Sequence, residues 1–492
     1  MSLKGDLRQY QIPIALFLIS ALAFALRVYK LDAESLWLDE VLSINLALMD
    51  IPSAIRALPD NYVHPPFYFI ILHIWSRVVG QSEFSLRFLS ALFGPLTAVM
   101  TYKLARALFE RGTALLSGLF LALCPYHVYY SQETRMYTLA TFLGLVGAYF
   151  FFQALEKRDR ALCWIGFVVC SALGLYTHYY TLFLLLFESL FFLSLITIRR
   201  QYRYALKAWL LAQLAIFCLY LAWLPVLLIQ ATGGKSGWME APPPGYLPGA
   251  LIAYFVTPNP ERKLHLLIGS FGVIFPMTLG AIGAQLTGDR PRLSFPLGRS
   301  RLYVFAYLAV PFLTAYAASL LIKPILVTRY LMVCVPAACI LLAYGLSLVK
   351  PKFLALLLSL LLGWTIVIYL GSIYNTTNKE DWRSATEYLS TRIQRDDLIC
   401  FNAGHARLPF YYYYGKEGEL NEVTLSEIGE DKSSIAEKTT HFHQRIWLII
   451  SLDAENLHGQ RTLETFRQGT PHSKLLLDEE FTGIEVLLFA LN

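Results

Sequence analysis

The stretch FLALLLSLLLGWTIVIYLGSI, residues 353–373, holds no charged side chain over a length that crosses a hydrocarbon core as a helix. Lys350 and Lys352 stand directly before it. Outward from it, the pattern of apolar window and basic junction repeats. Windows long enough to cross fall near 11–30, 84–106, 113–130, 136–155, 161–178, 180–198, 205–230, 264–286, 302–322, 330–349 and 353–373. About eleven transmembrane helices are therefore expected. Basic residues gather at alternate junctions: Lys4 and Arg8, then Lys103, Arg106 and Arg111, then Lys157, Arg158 and Arg160. Arg199, Arg200, Arg203 and Lys207 follow, then Arg290, Arg292, Arg299 and Arg301, then Lys350 and Lys352. With a cytoplasmic N-terminus every group lands on the cytoplasmic side, where short basic loops belong, and an odd span count leaves the C-terminus outside. The first window is long for a signal sequence and lacks a small-residue cleavage site, so it reads as a retained helix.

Composition agrees with a polytopic α-helical membrane protein. Of 492 residues, 56% are hydrophobic and 15% charged, with a mean hydropathy of +0.48. Soluble domains carry about 25% charged residues. Disorder, a coiled coil and a disulfide scaffold are excluded, and a cytosolic enzyme is disfavoured. The net charge of +6 comes from the junctions that orient the chain, so it marks no nucleic-acid partner. Cys124, Cys163, Cys170, Cys218, Cys334 and Cys339 lie in apolar stretches and Cys400 outside them, with no paired spacing for a metal or disulfide framework.

Two regions lie outside the membrane under this topology, together with a shorter outer loop at about 231–263. The first outer loop, about 31–82, holds apolar-rich stretches at 41–58 and 66–79, read as helices lying in the interface. The tail, 375–492, has soluble composition. A helical stretch at 382–393 and strands at 398–401, 445–451 and 484–491 make it a small extracytoplasmic α/β domain. The organisation is thus a transmembrane domain, 1–374, followed by that tail.

Polar residues cluster on the outer face. Asp39 and Glu40 follow Trp37 and Leu38 just after the first span. His64 precedes Pro65 and Pro66 at the mouth of the second interfacial stretch, with Tyr68 beyond. Tyr129 to Tyr137, containing Glu133 and Arg135, joins the third and fourth spans. Lys323 to Tyr330, containing Arg329, joins the ninth and tenth. Ionisable residues at a membrane boundary are costly and mark sites or pathways. A carboxylate serves as general base toward a hydroxyl or amine, and Arg and Lys hold phosphate as a fork and a point charge. Together with an apolar groove they suit a lipid phosphate whose tail stays in the bilayer. No P-loop and no GxGxxG after a strand offers a cytoplasmic nucleotide site.

The blocks SLWLDEVLSINLA (35–47), HPPFYFIILHIW (64–75), RFLSALFGPLTAVMTYKLARALF (87–109) and YYSQETRMYTLA (129–140) occur in this order on the same expected face. In this arrangement the chain resembles the GT-C superfamily of integral membrane glycosyltransferases. The branch it resembles contains the dolichyl-phosphate-mannose–protein mannosyltransferases and the bacterial aminoarabinose transferases that modify lipid A. The resemblance is close over about residues 1–200 and extends by layout to the remaining spans. It implies a GT-C fold and a polyprenyl-phosphate sugar donor. It also implies an inverting displacement with Asp39 as base and Glu40 as its partner. Arg135 and Arg329 become candidates for the donor phosphate, assisted by Lys323 and Tyr330. His64 stands where the lipid-A-modifying relatives carry a Lys. Metal dependence varies across the superfamily, so a divalent cation is left open and no ligand is assigned.

The remaining residues divide between structure and site. Glu133 either pairs with Arg135 at a helix start or serves the site with Tyr137. Arg87 either snorkels to headgroups or contacts substrate. His178, beside Tyr179 and Tyr180, suits an aromatic belt as well as a site, and Trp37 and Tyr68 suit interface anchoring better than sugar stacking. The run Tyr411 to Tyr414 reads as alternating between core and surface. His441 and His443 are a weak metal pattern, and the loop near 231–263 reads equally as a lid or a static turn. Rival functions are a lipid-pyrophosphate-dependent ligase or polymerase, a non-catalytic lipid-binding subunit, and a lipid-linked sugar flippase. A flippase would place its ionisable residues at the bilayer midplane. The expected partners are a polyprenyl-phosphate-linked sugar, membrane lipids and a lipid, protein or glycan acceptor, at the plasma (inner) membrane.

Overall fold

The computed structural model describes residues 3–156, 161–233, 239–256, 263–287, 290–293, 298–415, 418–425, 445–451, 464, 466–467, 470 and 473–491. His441 and His443 lie outside them, as does part of the 231–263 loop. Packing divides the chain into two units, 1–29 with 47–374, and 30–46 with 375–492.

The first unit is helical apart from a two-stranded antiparallel pair, Ala284–Thr287 with Arg290–Leu293, whose first strand takes the end of the span expected at 264–286. Among the described residues, eight helices are long and apolar enough to cross a membrane, or ten if each of two bent pairs is one span. The window expected at 161–178 forms Ala161–Leu175, 15 residues long. The chain is a multi-pass membrane protein. Val335–Ser347 lies innermost, with every residue from Val335 to Ala343 buried. It meets Lys263–Ile282 backbone to backbone: a side chain on Gly345 would come within 1.7 Å of the Pro276 carbonyl oxygen. In a lipid solvent such close approach supplies the dispersion energy that holds helices together.

The apolar stretch at 41–58 corrects to two helices, Leu38–Leu48 and Ile51–Asn61. The Asp50 carboxylate accepts from the Ser53 N–H at 3.0 Å and so caps the second helix, which Pro52 enters at its first turn. Phe67–Val79 forms as expected.

The second unit carries a five-stranded sheet in the order Asn421–Thr424, Leu398–Phe401, Arg445–Ser451, Ile484–Leu491, Ser473–Phe481. The first two pairings are parallel and the last two antiparallel. Leu398–Phe401 is buried on both faces, as a central parallel strand must be. Ile399, Phe401, Trp447 and Ile449 face Trp382–Ser390 and Arg407–Tyr414 on one side. Leu398, Cys400, Leu448 and Phe489 build the core on the other. The helix expected at 382–393 ends at Ser390. The tyrosine run is helical within Arg407–Tyr414, so its burial follows a helix face, with Phe410 and Tyr411 inside. Asn421–Thr424 and Ser473–Phe481 were not expected as strands. Ser473–Phe481 is an exposed edge whose Lys474, Asp478, Glu479 and Glu480 discourage further pairing.

Candidate active site

Proline sets up the site in the first unit. Pro125 interrupts the span that begins at Arg111 and bends it by 50°. Having no N–H, Pro125 cannot serve the Leu121 carbonyl, and the Tyr126 N–H turns to the Tyr254 carbonyl instead. The Cys124 N–H reaches the Leu121 carbonyl at 3.3 Å, and the fully buried Arg27 serves both the Leu121 and the Ala122 carbonyls. Its Nη2 donates to the Leu121 carbonyl at 3.2 Å and its Nη1 to the Ala122 carbonyl at 3.0 Å. Its Nε donates to Ser131 Oγ at 3.2 Å, and Nη2 also reaches His127 Nδ1 at 3.1 Å. Within a bilayer, where no water satisfies broken backbone, this is what permits the bend. The bend delivers the chain to the turn that carries Glu133 and Arg135.

Three further connections converge on Arg135. The first N–H of Phe67–Val79 donates to the Tyr176 carbonyl at 2.9 Å, which ties the His64-Pro65-Pro66 turn to the turn bearing His178. His64 and His178 then stand with ring centroids 5.3 Å apart. Arg135 Nη2 donates to His64 Nε2 at 3.0 Å and lies 3.5 Å from the Tyr137 hydroxyl. Arg329 and Tyr330 come from the tight 3-10 segment Thr328–Cys334. Its carbonyls are served by the Tyr254 hydroxyl at Leu331 (2.8 Å) and the Tyr307 hydroxyl at Val333 (3.1 Å). The Tyr330 ring meets His178 at 4.9 Å, Tyr180 at 5.4 Å and His64 at 5.8 Å.

Electrostatics fix the imidazole states. Burial lowers both pKa values, and the Arg135 and Arg329 guanidiniums lower them further, His178 to about 3 and His64 well below its ordinary value. Both rings are neutral at pH 7. An Arg only donates, so His64 Nε2 accepts and Nδ1 carries the proton. His178 Nδ1 accepts from the Tyr180 N–H at 3.2 Å, so its proton sits on Nε2. That Nε2 is buried without a hydrogen-bond partner among the described residues. The folded-state pKa lies below the unfolded value near 6.5, so only the unfolded chain gains a proton as pH first falls. This contribution to stability is complete above about pH 6.5 and lost progressively toward pH 3. Thermal unfolding in detergent should move to lower temperature between pH 7.5 and 5, and less steeply in His178→Gln. An equal slope in both proteins would show that His178 does not titrate this way.

His64, His178, Tyr330 and Lys323 line a cavity of about 290 Å³. Beside it runs an apolar groove of about 540 Å³ among Ala161–Leu175, Thr181–Ile198 and Leu206–Tyr220. The two share Tyr179, Leu182, Phe183 and Leu227. Gln230, on the cavity wall, donates to the Leu58 and Tyr62 carbonyls at 3.0 and 2.7 Å, fastening that wall to the end of Ile51–Asn61.

The expected site residues separate into three groups. Arg135, Arg329, Tyr330, Tyr137, His64 and His178 come together, and Lys323 borders the same cavity while donating to the Gly233 carbonyl. Tyr68, Glu133 and Arg87 are buried outside that group. The Tyr68 hydroxyl pairs with Ser90 Oγ at 2.9 Å, and Ser90 Oγ donates to the Arg135 carbonyl at 2.9 Å. The Glu133 carbonyl accepts from the Arg135 N–H at 2.8 Å. Arg87 lies 3.9 Å from Glu83, one turn back, and does not extend to headgroups. Asp39 and Glu40 belong to the second unit. Both sit in the first turn of Leu38–Leu48, where the helix dipole favours carboxylates. Asp39 is half-buried. Glu40 is fully buried in an ion pair with Lys379 at 3.0 Å. Sequence reasoning passed over Arg27, whose only signal is a cation ending an apolar window, and Lys379, which has none.

A family model of dolichyl-phosphate-mannose-protein mannosyltransferases matches residues 63–225. The crystal structure of ArnT from Cupriavidus metallidurans superposes with a TM-score of 0.57 over 96% of this chain and 97% of its own, at 13% identity. The chain has the GT-C fold. The Archaeoglobus fulgidus oligosaccharyltransferase shares that fold with a TM-score of 0.60 and 10% identity, over 99% of this chain and 75% of its own. ArnT has also been solved bound to undecaprenyl phosphate, and that form superposes equally, at 0.57 and 12% identity over 96% of this chain and 97% of its own. An uncharacterized protein of Aquifex aeolicus is 30% identical over 108 residues, 22% of this chain and 22% of its own length. The GT-C match extends through both units, tail included.

Proposed function

We propose that the protein is an inverting glycosyltransferase that moves a single sugar, hexose or pentose, from a polyprenyl-phosphate donor to an acceptor on the outer face of the plasma (inner) membrane. One observation carries this reading: the Arg135 and Arg329 guanidiniums stand against His64, His178 and Tyr330, which line a largely apolar cavity bordered by Lys323 that shares a wall with an apolar groove among membrane helices. A sugar phosphate on a long hydrocarbon chain has the same two-part chemistry. The family match over residues 63–225, which contain His64, Arg135 and His178, supports it.

In the proposed reaction Asp39 takes the proton of an acceptor hydroxyl or amine. The acceptor atom bonds to the anomeric carbon from the side opposite the phosphate. The carbon–oxygen bond to phosphate breaks and the lipid phosphate departs with the electron pair, inverting the centre. Arg135 and Arg329 offset the charge that grows on the leaving oxygen. His178 Nε2–H supplies a neutral hydrogen bond to the head group, and Lys323 adds a point charge at the cavity rim.

The test uses purified protein in lipid with a panel of radiolabelled polyprenyl-monophosphate sugars. One sugar should be released. Arg329→Ala should raise the donor KM by about 10–100-fold, the worth of a charged hydrogen bond; an unchanged KM removes Arg329 from the donor site. Release only from a pyrophosphate donor would move the protein to the ligases, and flipping without release to the transporters. Orientation is read in the same vesicles: Arg395→Cys, at an exposed tail position, should react with an impermeant thiol reagent in right-side-out vesicles. Reaction only in inverted ones would reverse the topology.

A further inference from the structure

We propose that the second unit holds the Asp39 helix in position, with Lys379 and Tyr413 as the positioning residues. The proposal rests on the reading of Asp39 as the base. Within that unit, the chain entering Leu38–Leu48 is fastened along its length to the strap between Asn375 and Trp382 and to the tyrosine helix. Arg383 Nη2 donates to the Asp32 and Glu34 carbonyls at 3.1 and 3.3 Å. The Asn378 N–H donates to the Glu34 carboxylate, and Ser35 Oγ to the Glu380 carbonyl. The Leu36 N–H donates to the Tyr413 hydroxyl at 2.7 Å. Lys379 Nζ closes the series on Glu40 at 3.0 Å, with side-chain exposures of 5% and 0%.

The strap is itself anchored. The Glu380 carboxylate accepts from Trp382 Nε1 at 2.7 Å and from Ser451 Oγ, at the end of the central strand Arg445–Ser451. Asn402 and Ser451 exchange two further hydrogen bonds at 3.0 and 3.1 Å. A rigid sheet therefore fixes the strap, and the strap fixes Glu40 and Leu36. Asp39 lies between these two points, in the same helical turn as Glu40. A displacement of the base of about 1 Å costs roughly a hundredfold in rate, which gives such fastening a catalytic purpose. It also gives the tyrosine run a second use: Phe410 and Tyr411 fill the core, while Tyr413 packs at its edge and accepts from the Leu36 N–H.

The test measures kcat and donor KM for the full chain in lipid, using the donor sugar identified above. Lys379→Met should lower kcat by about 10–100-fold while donor KM stays within about twofold. Lys379→Arg and the exchange Glu40→Lys with Lys379→Glu should recover most of kcat, which simple loss of folded protein would not allow. In an Asp39→Asn background Lys379→Met should cost no more than about twofold further, since no base remains to misplace. Wild-type kcat in Lys379→Met, or the same loss with and without Asp39, overturns the proposal. If Lys379→Met does not accumulate, Tyr413→Phe decides: a severalfold fall in kcat at constant KM is expected, and wild-type kcat overturns it. Full activity in Asp39→Asn would instead remove the base reading itself.

Discussion

Asp39→Asn is expected to lower turnover by about 10²–10⁴-fold, the worth of a general base, with donor affinity within about twofold of wild type. Asparagine keeps the shape and the hydrogen-bonding reach of aspartate but cannot take a proton. The Asp39 main-chain carbonyl, which accepts from Ser43 Oγ at 2.9 Å, is untouched by the change, so the helix start should persist. Single-turnover release of labelled sugar separates this from a binding defect. If transfer stops and the donor still binds, the proton step is what was removed. If donor binding is lost as well, Asp39 belongs to donor recognition, and the base must be sought elsewhere. Wild-type turnover would leave the chain with the fold and without this mechanism, as expected of a lipid-binding subunit.

Hydropathy made most of the fold legible, because lipid imposes one rule on every crossing segment. The window at 353–373 and the helix Lys352–Asn375 nearly coincide, as do 136–155 and Tyr137–Glu156. What the windows hid were the breaks. Proline at 125 and the turn at 221–223 bend two spans without lowering their hydropathy. Of the candidate site, the clusters around His64, Arg135 and Arg329 stood out because charge is expensive at that depth. His178 was harder to judge, since an aromatic belt explains the same residues. Its Nε2–H became informative only when the Tyr180 N–H was seen to occupy Nδ1. Contacts such as Glu40 with Lys379, 339 positions apart, leave no trace in a single sequence. The edge strand Ser473–Phe481 was missed because exposed, charged residues on both faces erase the alternation that marks a half-buried strand.

Arg27→Met should give the largest loss of stability in the first unit. Methionine fills nearly the same volume with no donor, so the Leu121 and Ala122 carbonyls lose the guanidinium where Pro125 and Tyr126 supply no helical N–H. The Leu121 carbonyl keeps the Cys124 N–H at 3.3 Å, so the Ala122 carbonyl is the acceptor left without a donor among the described residues, at a cost of about 1–3 kcal/mol against an ordinary net stability of about 5–15 kcal/mol. Thermal unfolding in detergent should show a clearly lowered midpoint, with Arg27→Lys intermediate because an ammonium reaches carbonyls without the planar fork. Gly94→Leu supplies an independent approach to the same contacts. A Cβ there would lie 2.0 Å from Arg27 Cδ and Nε, so the guanidinium must leave its carbonyls even though Arg27 itself is intact. Matching losses in Arg27→Met and Gly94→Leu would assign the effect to the contacts rather than to either side chain; wild-type stability in both would show that the bend holds without them. The consequence reaches the site, because Arg27 also holds Ser131 and His127, on the segment leading to Arg135. Whatever folded Arg27→Met can be recovered should therefore bind the donor less tightly than wild type, although Arg27 is no part of the cavity lining. The cation that makes the bend tolerable in lipid thereby also braces the segment that leads to Arg135.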